Sequence, residues 1–432
     1  MKLSKNIINF SSTLFRRHQL ATQVGKTFDG DRDIYKTLGY KRSLDFIDYA
    51  ERYQRGGIAS KVVSAYPTTT WRHQPIIREK GVFEETEFTK AWNELEEQLQ
   101  VYHYLGRVDI VSGIGQYGVL LIGTSTSRDL KEPIKDVNDP EDVTFLAPYS
   151  QGNADIKSFD KNVTSSRFGL PEIYSLRLTS DDTSNNSRSA SFTNLLEVHH
   201  SRVIHVADGL LEDDIFGTPR MRPVWNYLDD LDKTVGGGSE GIWRTVVPGL
   251  QFDIDKDMDL EGEDETDFSD EIEEYMHELK RYIRTRGVTT KILDTEVPDT
   301  SGQFSVLSSV LAGTTGIPQR ILFGSERGQL ASSQDEKNFN SRIKERQDLH
   351  AEPVILRPFI DKMIDIKALP TPVNGYDVIW PDLSTLTSKE KSDVAARQAQ
   401  AMANFSRANE GKEEKDQVMT RDEYRKEFLE LE

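Results

Sequence analysis

The sequence predicts an α+β fold, and three observations carry that prediction. Helix-period segments, clearest at Phe88–Leu99, precede short strand-like runs such as Val119–Ile122. Polar loops rather than regular helices join the later strands, so the pattern is not the strict strand–helix alternation of a parallel sheet. A Gly-Ile-Pro break at Gly316–Pro318 then joins a short apolar helix to a long helical pattern.

Taken in order, residues 32–100 read mostly as helix. Around Ser43–Ala50, Leu44, Ile47 and Tyr49 fall toward one side, and Trp92, Leu95 and Leu99 form an i, i+3, i+7 face. Strands are expected at Val119–Ile122, Val143–Leu146, Glu172–Leu178 and Val203–Val206, with a polar loop over Asp181–Ser189. Pro223 opens another helix, at a place where its missing N–H is harmless. Gly236–Gly238 is expected to break or hinge that helix. Residues from Phe268 to about Gly287 read as a helix with an acidic start and a basic finish, which suits the helix dipole. Phe304–Ala312 reads as the short apolar helix, and Gln334–Lys367 as the long one, about 50 Å if fully helical. Pro353 and Pro358 predict a kink inside it. Thr387–Glu390 and Thr420–Glu423 are capping-box patterns for two final helices.

With 432 residues the chain is long enough for about two to four domains. It has no cysteine, which excludes disulfides and thiolate chemistry. No apolar run reaches the roughly 18 residues of a membrane span. The net charge of −18 argues against a broad nucleic-acid-binding surface. It suits a lumen past which a polyanion slides, a merely solvated surface, or a protein from a high-salt host. Residues 1–28 contain no Asp or Glu, but carry Lys2, Lys5, Arg16, Arg17 and Lys26 among apolar residues. We read them as a basic amphipathic arm that docks on an acidic neighbouring subunit, with a transit peptide as the alternative.

Several motifs resemble chemistry without its context. Gly113, Gly115 and Gly118 match the dinucleotide fingerprint G-x-G-x-x-G. That fingerprint needs a strand before the glycines and a helix after them, and here the order is reversed. Leu20–Thr27 lacks the first glycine of a P-loop. Asp253, Asp255, Asp257, Asp259 and Glu261 alternate like EF-hand ligands. One register places Met258 where glycine is needed, and the other ends on Phe268 instead of glutamate. Residues 253–274 are read as an acidic docking edge, with adventitious divalent binding as the alternative. His199 and His205 would share one strand face and His200 the other, so no metal site is assigned.

Six blocks, in order, resemble the portal proteins of tailed bacterial and archaeal viruses, in the branch once called DUF1073. They are Arg32–Tyr40 with Tyr53–Ala59; Tyr117–Gly123; Phe168–Tyr174; Val203–Asp208 with Phe216–Arg220; Gly316-Ile-Pro with Leu322–Gly324; and Trp380–Leu383 with Thr387–Lys391. The segment Ser325–Gln334 departs from the Gly- and Asn-rich stretch usual in that branch.

The resemblance implies a portal fold of wing, stem, clip, tunnel loop with long kinked helix, and helical crown. Residues 1–30 would be an N-terminal arm. The wing would be 31–222 with 368–383, the stem helices 223–245 and 304–316, and the clip 246–303. The tunnel loop and long helix would be 317–367, and the crown 384–432. It also implies a ring of twelve copies at one capsid vertex, without catalysis or cofactor. Its partners would be double-stranded viral DNA, terminase, the head–tail adaptor and the major capsid protein, with no membrane. Gly316, Pro318, Gly324 and Gly328 would hinge the tunnel loop, while Arg320, Arg327, Gln329 and Lys337 would face DNA. Other readings are a different acidic virion protein, such as an adaptor, or a nucleotide-binding enzyme using Gly113, Gly115 and Gly118.

Overall fold

The computed structural model describes residues 33–409 except 83, 126–128, 138, 178–194, 247–248, 255–269, 271, 274–287, 294–298, 325–328 and 384–387. The N-terminal arm, both capping boxes, the Asp181–Ser189 loop and nearly all of the acidic 253–274 stretch therefore lie outside the described residues.

Three helices open the described chain: α1 (Ile34–Leu38), α2 (Phe46–Arg55) and α3 (Gly57–Thr70). Asp45 and Asp48 cap α2 reciprocally, each carboxylate accepting the other's backbone N–H. Ile47 proves exposed, and Tyr49 instead is buried. The inward side of α2 runs through Phe46, Tyr49, Ala50 and Tyr53, so placing Ile47 inward was an error of phase.

After β1 (Ile76–Glu79) come α4 (Glu87–Leu99), capped by Thr86, and α5 (Val101–Ile114). Trp92 and Leu95 are buried, as the spacing predicts, while Leu99 is partly buried against the same core. Helix α5 is apolar on most sides, the signature of a helix enclosed by its neighbours. Val101, Leu105 and Val108 are fully buried, each worth about 1.5–3 kcal/mol.

Helix α5 delivers the chain into β2 (Gly118–Thr124), which is buried along its whole length. Strands β3 (Val143–Ser150), β4 (Ala154–Phe159), β5 (Pro171–Arg177), β6 (Leu195–His199) and β7 (Val203–Val206) follow. They form two antiparallel three-stranded sheets, ordered β3-β2-β7 and β4-β5-β6. Their shared core includes Tyr117, Leu121, Tyr174, Leu176 and Val198. His199 and His205 thus lie on different strands of different sheets, with His200 on the 3-10 turn His200–Arg202 between them. The expectation of one strand carrying all three is corrected, because the turn resets the alternation.

Helix α6 (Trp225–Val246) runs without interruption through Gly236–Gly238. Glycine lowers helix propensity by about 1 kcal/mol per residue, which neighbouring turns absorb, so the predicted break does not occur. Strands β8 (Gly249–Ile254) and β9 (Val288–Leu293) pair with each other, and α7 (Ser301–Thr315) packs on α6.

Beyond the Gly-Ile-Pro break lie α8 (Gln319–Phe323) and α9 (Gln329–Arg346). A π-helical segment, Gln347–Leu356, and α10 (Arg357–Asp365) continue the same rod. Regular helix starts at Gln329, earlier than the expected Gln334. Pro353 lies within the π segment, whose i→i+5 bonding accommodates a ring that would strike the i−4 carbonyl of an α-helix. Pro358 is the second residue of α10, just where the winding changes from π to α. Leu356, Phe359, Ile360 and Met363 are fully buried against α4 and α5. Last come β10 (Tyr376–Ile379), paired with β1, and α11 (Ser388–Asn409).

Candidate functional site

The Gly-Ile-Pro break is a built joint. Gly316 ends α7 in the left-handed conformation (φ +69°), and its N–H closes the helix on the Ala312 carbonyl at 2.8 Å. The positive φ disfavours any side chain there, and an added Cβ would lie 2.1 Å from Nη1 of Arg342 on α9, so that guanidinium would have to shift. Tyr66 on α3 donates its hydroxyl to the Thr315 carbonyl at 3.1 Å. Ile317 is buried, and Pro318, with φ −53° and ψ 142°, turns the chain into α8. Gln319 donates to the hydroxyls of Ser308 and Ser309, tying α8 back onto α7. Gly324 leaves α8 at φ +101° and ψ −176°, a region essentially reserved for glycine.

A recess of about 360 Å³ opens beside this joint, lined by Gly316, Gln319, Asp335, Asn338 and Arg342 among others. Of the residues expected to face DNA, Lys337 is exposed on α9, while Arg320 is half-buried on α8 with interactions of its own. Gln329 is the first residue of α9. Arg327 and Gly328 lie outside the described residues. The joint also brings in Arg342 and Tyr66, which sequence reasoning missed. No motif marked either one; only the packing of α9 and α3 against Gly316 selects them.

The rod carrying α9 is fastened to the rest of the protein by a buried charge cluster, also missed. Asp109, in the middle of apolar α5, is fully buried. It accepts two bonds from Arg346 (Nη1 2.9 Å, Nη2 2.6 Å), one from Arg220 Nη2 at 2.8 Å and one from Trp71 Nε1 at 2.8 Å. Arg220 also grips Asp208 with Nη2 at 2.6 Å and Nε at 2.9 Å. Gln347, at the start of the π segment, donates to the Thr70 carbonyl at 3.1 Å. Burial pushes the Asp109 carboxyl up, but the Arg346 and Arg220 guanidiniums overcome this and hold it at about 2. Asp208 is held low in the same way, burial again being outweighed by Arg220, His350 and Arg346. His350, also beside both carboxylates, is pushed down chiefly by burial. Two carboxylates and two guanidiniums balance formally, which is what a buried ionic cluster requires.

The nucleotide reading meets its answer nearby. Helix α5 precedes Gly115 and β2 follows it, the reverse of the dinucleotide order. A Cβ on Gly113 would strike the Arg220 guanidinium at 2.5 Å, and one on Gly115 would meet Gln151 at 2.6 Å. These glycines make room for the side chains of Arg220, Gln151 and Phe46.

The model of the family described as phage portal protein matches residues 47–404. The chain belongs to the phage portal protein family. Among solved structures, this portal chain is similar to one in the virion of a native gene transfer agent particle. That similarity has 10% identity and a TM-score of 0.51, over 90% of this chain and 94% of that one. A chain from the neck of the empty particle, computed with C6 symmetry, gives 11% identity and 0.52 over 89% and 94%. A crystal structure of an HK97-family phage portal protein from Corynebacterium diphtheriae aligns at 8% identity and 0.38 over 78% and 98%. No individually curated protein matches this chain. At such identities the first two likenesses show a shared fold, and α6, α7, the Gly316 joint and the rod all fall within the family match.

Proposed function

We propose that this chain is the subunit of a ring at one vertex of a tailed-virus capsid, the channel for double-stranded DNA during packaging and ejection. The observation that carries this reading is the family match over residues 47–404, combined with a helix pair whose outer faces are left bare. Val235, Ile242 and Trp243 on α6 and Val306 on α7 are 52%, 60%, 70% and 64% exposed. Large apolar side chains left exposed in this way call for a partner, and further copies of the chain supply it in a ring. Twelve copies is the number the family resemblance implies, and the sixfold neck of the gene transfer agent is compatible with it.

In this reading α6 and α7 are the stem, and the β8–β9 pair belongs to the clip. The pairing of β10 with β1 supports assigning residues 368–383 to the wing with 31–222. Residues 317–367 form the tunnel loop and, from α9 to α10, the rod behind it, and 384–432 form the crown. Terminase, the head–tail adaptor and the major capsid protein dock on this ring, in the host cytoplasm during assembly and then in the virion.

The electrostatics suit a conduit. Many phosphate contacts would produce strong, salt-dependent adhesion, whereas an acidic chain with few cations at the constriction centres DNA without holding it. Arg320, Arg327, Gln329 and Lys337 are proposed to face the channel, and exposed Arg342 joins them. The test is negative-stain imaging and mass measurement of the purified protein and of procapsids. Rings support the reading, whereas a monomer or dimer that forms no ring even in procapsids overturns it.

A further inference from the structure

We propose that the 3-10 turn His200–Arg202 forms a phosphate-binding site, in which Arg167, His200 and Lys362 hold one oxyanion from three sides. None of these residues is among those proposed to face DNA.

Three elements bring these groups together. Ile173 on β5 is in register with His199 on β6, so Pro171, two residues earlier, lies level with the turn that follows His199. Arg167 Nη2 donates to the Pro171 carbonyl at 2.9 Å, which sets its guanidinium alongside that turn. From another direction Lys362 on α10 donates through Nζ to the carbonyls of Val203 at 2.7 Å and His200 at 3.3 Å. An ammonium has three N–H donors, so one remains. The His200 ring lies 4.3 Å from that of His199, centre to centre. His199 spends Nδ1 on Ser201, while the His200 ring has no hydrogen bond among the described residues.

The unusual feature is the missing ion pair. In a chain of net charge −18, Arg167 and Lys362 have no carboxylate within ion-pair distance among the described residues. The acids nearby act on these groups only from beyond ion-pair distance, Asp160 on Arg167 and His200, and Asp365 on Lys362. Asp160 accepts the Asn162 backbone N–H at 2.8 Å, and Glu172 accepts the Ser158 hydroxyl at 3.2 Å. Burial, reinforced by the Arg167 charge, pushes Lys362 down to about 7 and His200 to about 4. An added negative charge would relieve both groups. A fork-shaped guanidinium, an imidazole N–H and a single ammonium donor, arriving from different elements, suit a tetrahedral oxyanion better than a planar carboxylate.

The experiment titrates the full chain with inorganic phosphate against chloride at constant ionic strength, following thermal unfolding and calorimetric heat. A parallel arm uses a short DNA duplex as the phosphate source. Arg167→Gln is the primary variant, because this partly exposed residue gives up only one side-chain hydrogen bond, and His200→Gln is the second. Loss of one charge-assisted bond should weaken binding roughly tenfold or more. Saturable stabilisation by inorganic phosphate, weakened in both variants, supports a free-phosphate site. Duplex binding weakened in both variants, without a response to inorganic phosphate, supports the same site reading a phosphodiester. No saturable response to either probe, or a response unchanged in the variants, overturns the proposal.

Discussion

Arg346 and Asp109 form a two-point ion pair, at 2.9 and 2.6 Å, between the end of α9 and the middle of α5. It is the point where the long rod is fixed in rotation. The π segment begins at the next residue, Gln347. Phe339 and Ile343 pack toward α3 and the joint, whereas Phe359 and Ile360 pack toward α4 and α5. The altered winding lets both halves of the rod meet their own cores, while Arg346 stays on the buried carboxylate.

Removing that carboxylate should therefore be costly. Asp109→Ala leaves two nearly buried guanidiniums sharing Asp208, and is expected to destabilise the protein by about 3–5 kcal/mol. Chemical denaturation of the purified subunit measures this. A change below about 1 kcal/mol would mean that water compensates the cluster.

The same cluster sets an acid limit. The carboxyls of Asp109 and Asp208 titrate below the ordinary aspartate range in the folded protein, Asp109 at about 2. Their contribution is thus fully present above about 4 and is lost as pH falls toward 2 and below. Asp109→Asn should flatten the stability–pH curve over that interval, leaving the part due to Asp208. Thermal unfolding at constant ionic strength, from pH 5 down to pH 2, tests the sign.

At the joint, Gly316→Ala combines a left-handed backbone with a clash against Arg342. The backbone conformation alone costs roughly 1–2 kcal/mol. Adding Arg342→Ala should recover the clash component but not the backbone component. A double-mutant cycle by denaturation separates them, and additivity of the two changes would show that Arg342 simply moves aside.

The bare faces of α6 and α7, the proposed stem, predict a split between folding and assembly. Trp243→Glu should leave monomer stability within about 0.5 kcal/mol, because the side chain is already exposed, yet prevent ring formation. Gly236→Ala is a finer probe. Nothing lies within 4 Å of a Cβ there, and alanine in a helix gains about 0.5–1 kcal/mol over glycine. A more stable monomer that assembles poorly would place Gly236 in close contact with a neighbouring copy. Mass measurement of the assembled species reads both variants.

Much of the scaffold was legible because it rests on local physics. The periodicity of Phe88–Leu99, the apolar run at Val119–Ile122 and the Gly-Ile-Pro break each act within a few residues. Ile47 and the Gly236–Gly238 run were misjudged because burial and helix continuity depend on neighbours that local pattern does not contain. The charge cluster was hidden for the same reason, with Asp109, Asp208, Arg220 and Arg346 scattered over the chain. One signal was available: a single acid inside the otherwise apolar Val101–Ile114 demands a buried partner. Which arginine answers that demand is a property of the folded packing alone.

The pairing of β1 with β10 also orders events in time. Ile76 meets Ile379 across about 300 intervening residues, which include both bare helices, the joint and the rod. Closing so long a loop costs entropy that grows only slowly with length, but it makes the contact late. During synthesis, every one of those intervening elements leaves the ribosome before residue 376 can seat beside β1. A nascent chain halted earlier still exposes the unpaired edge of β1, an invitation to non-native pairing. The last short strand therefore acts as a completion mark, closing that edge only after the surfaces needed for assembly have been made.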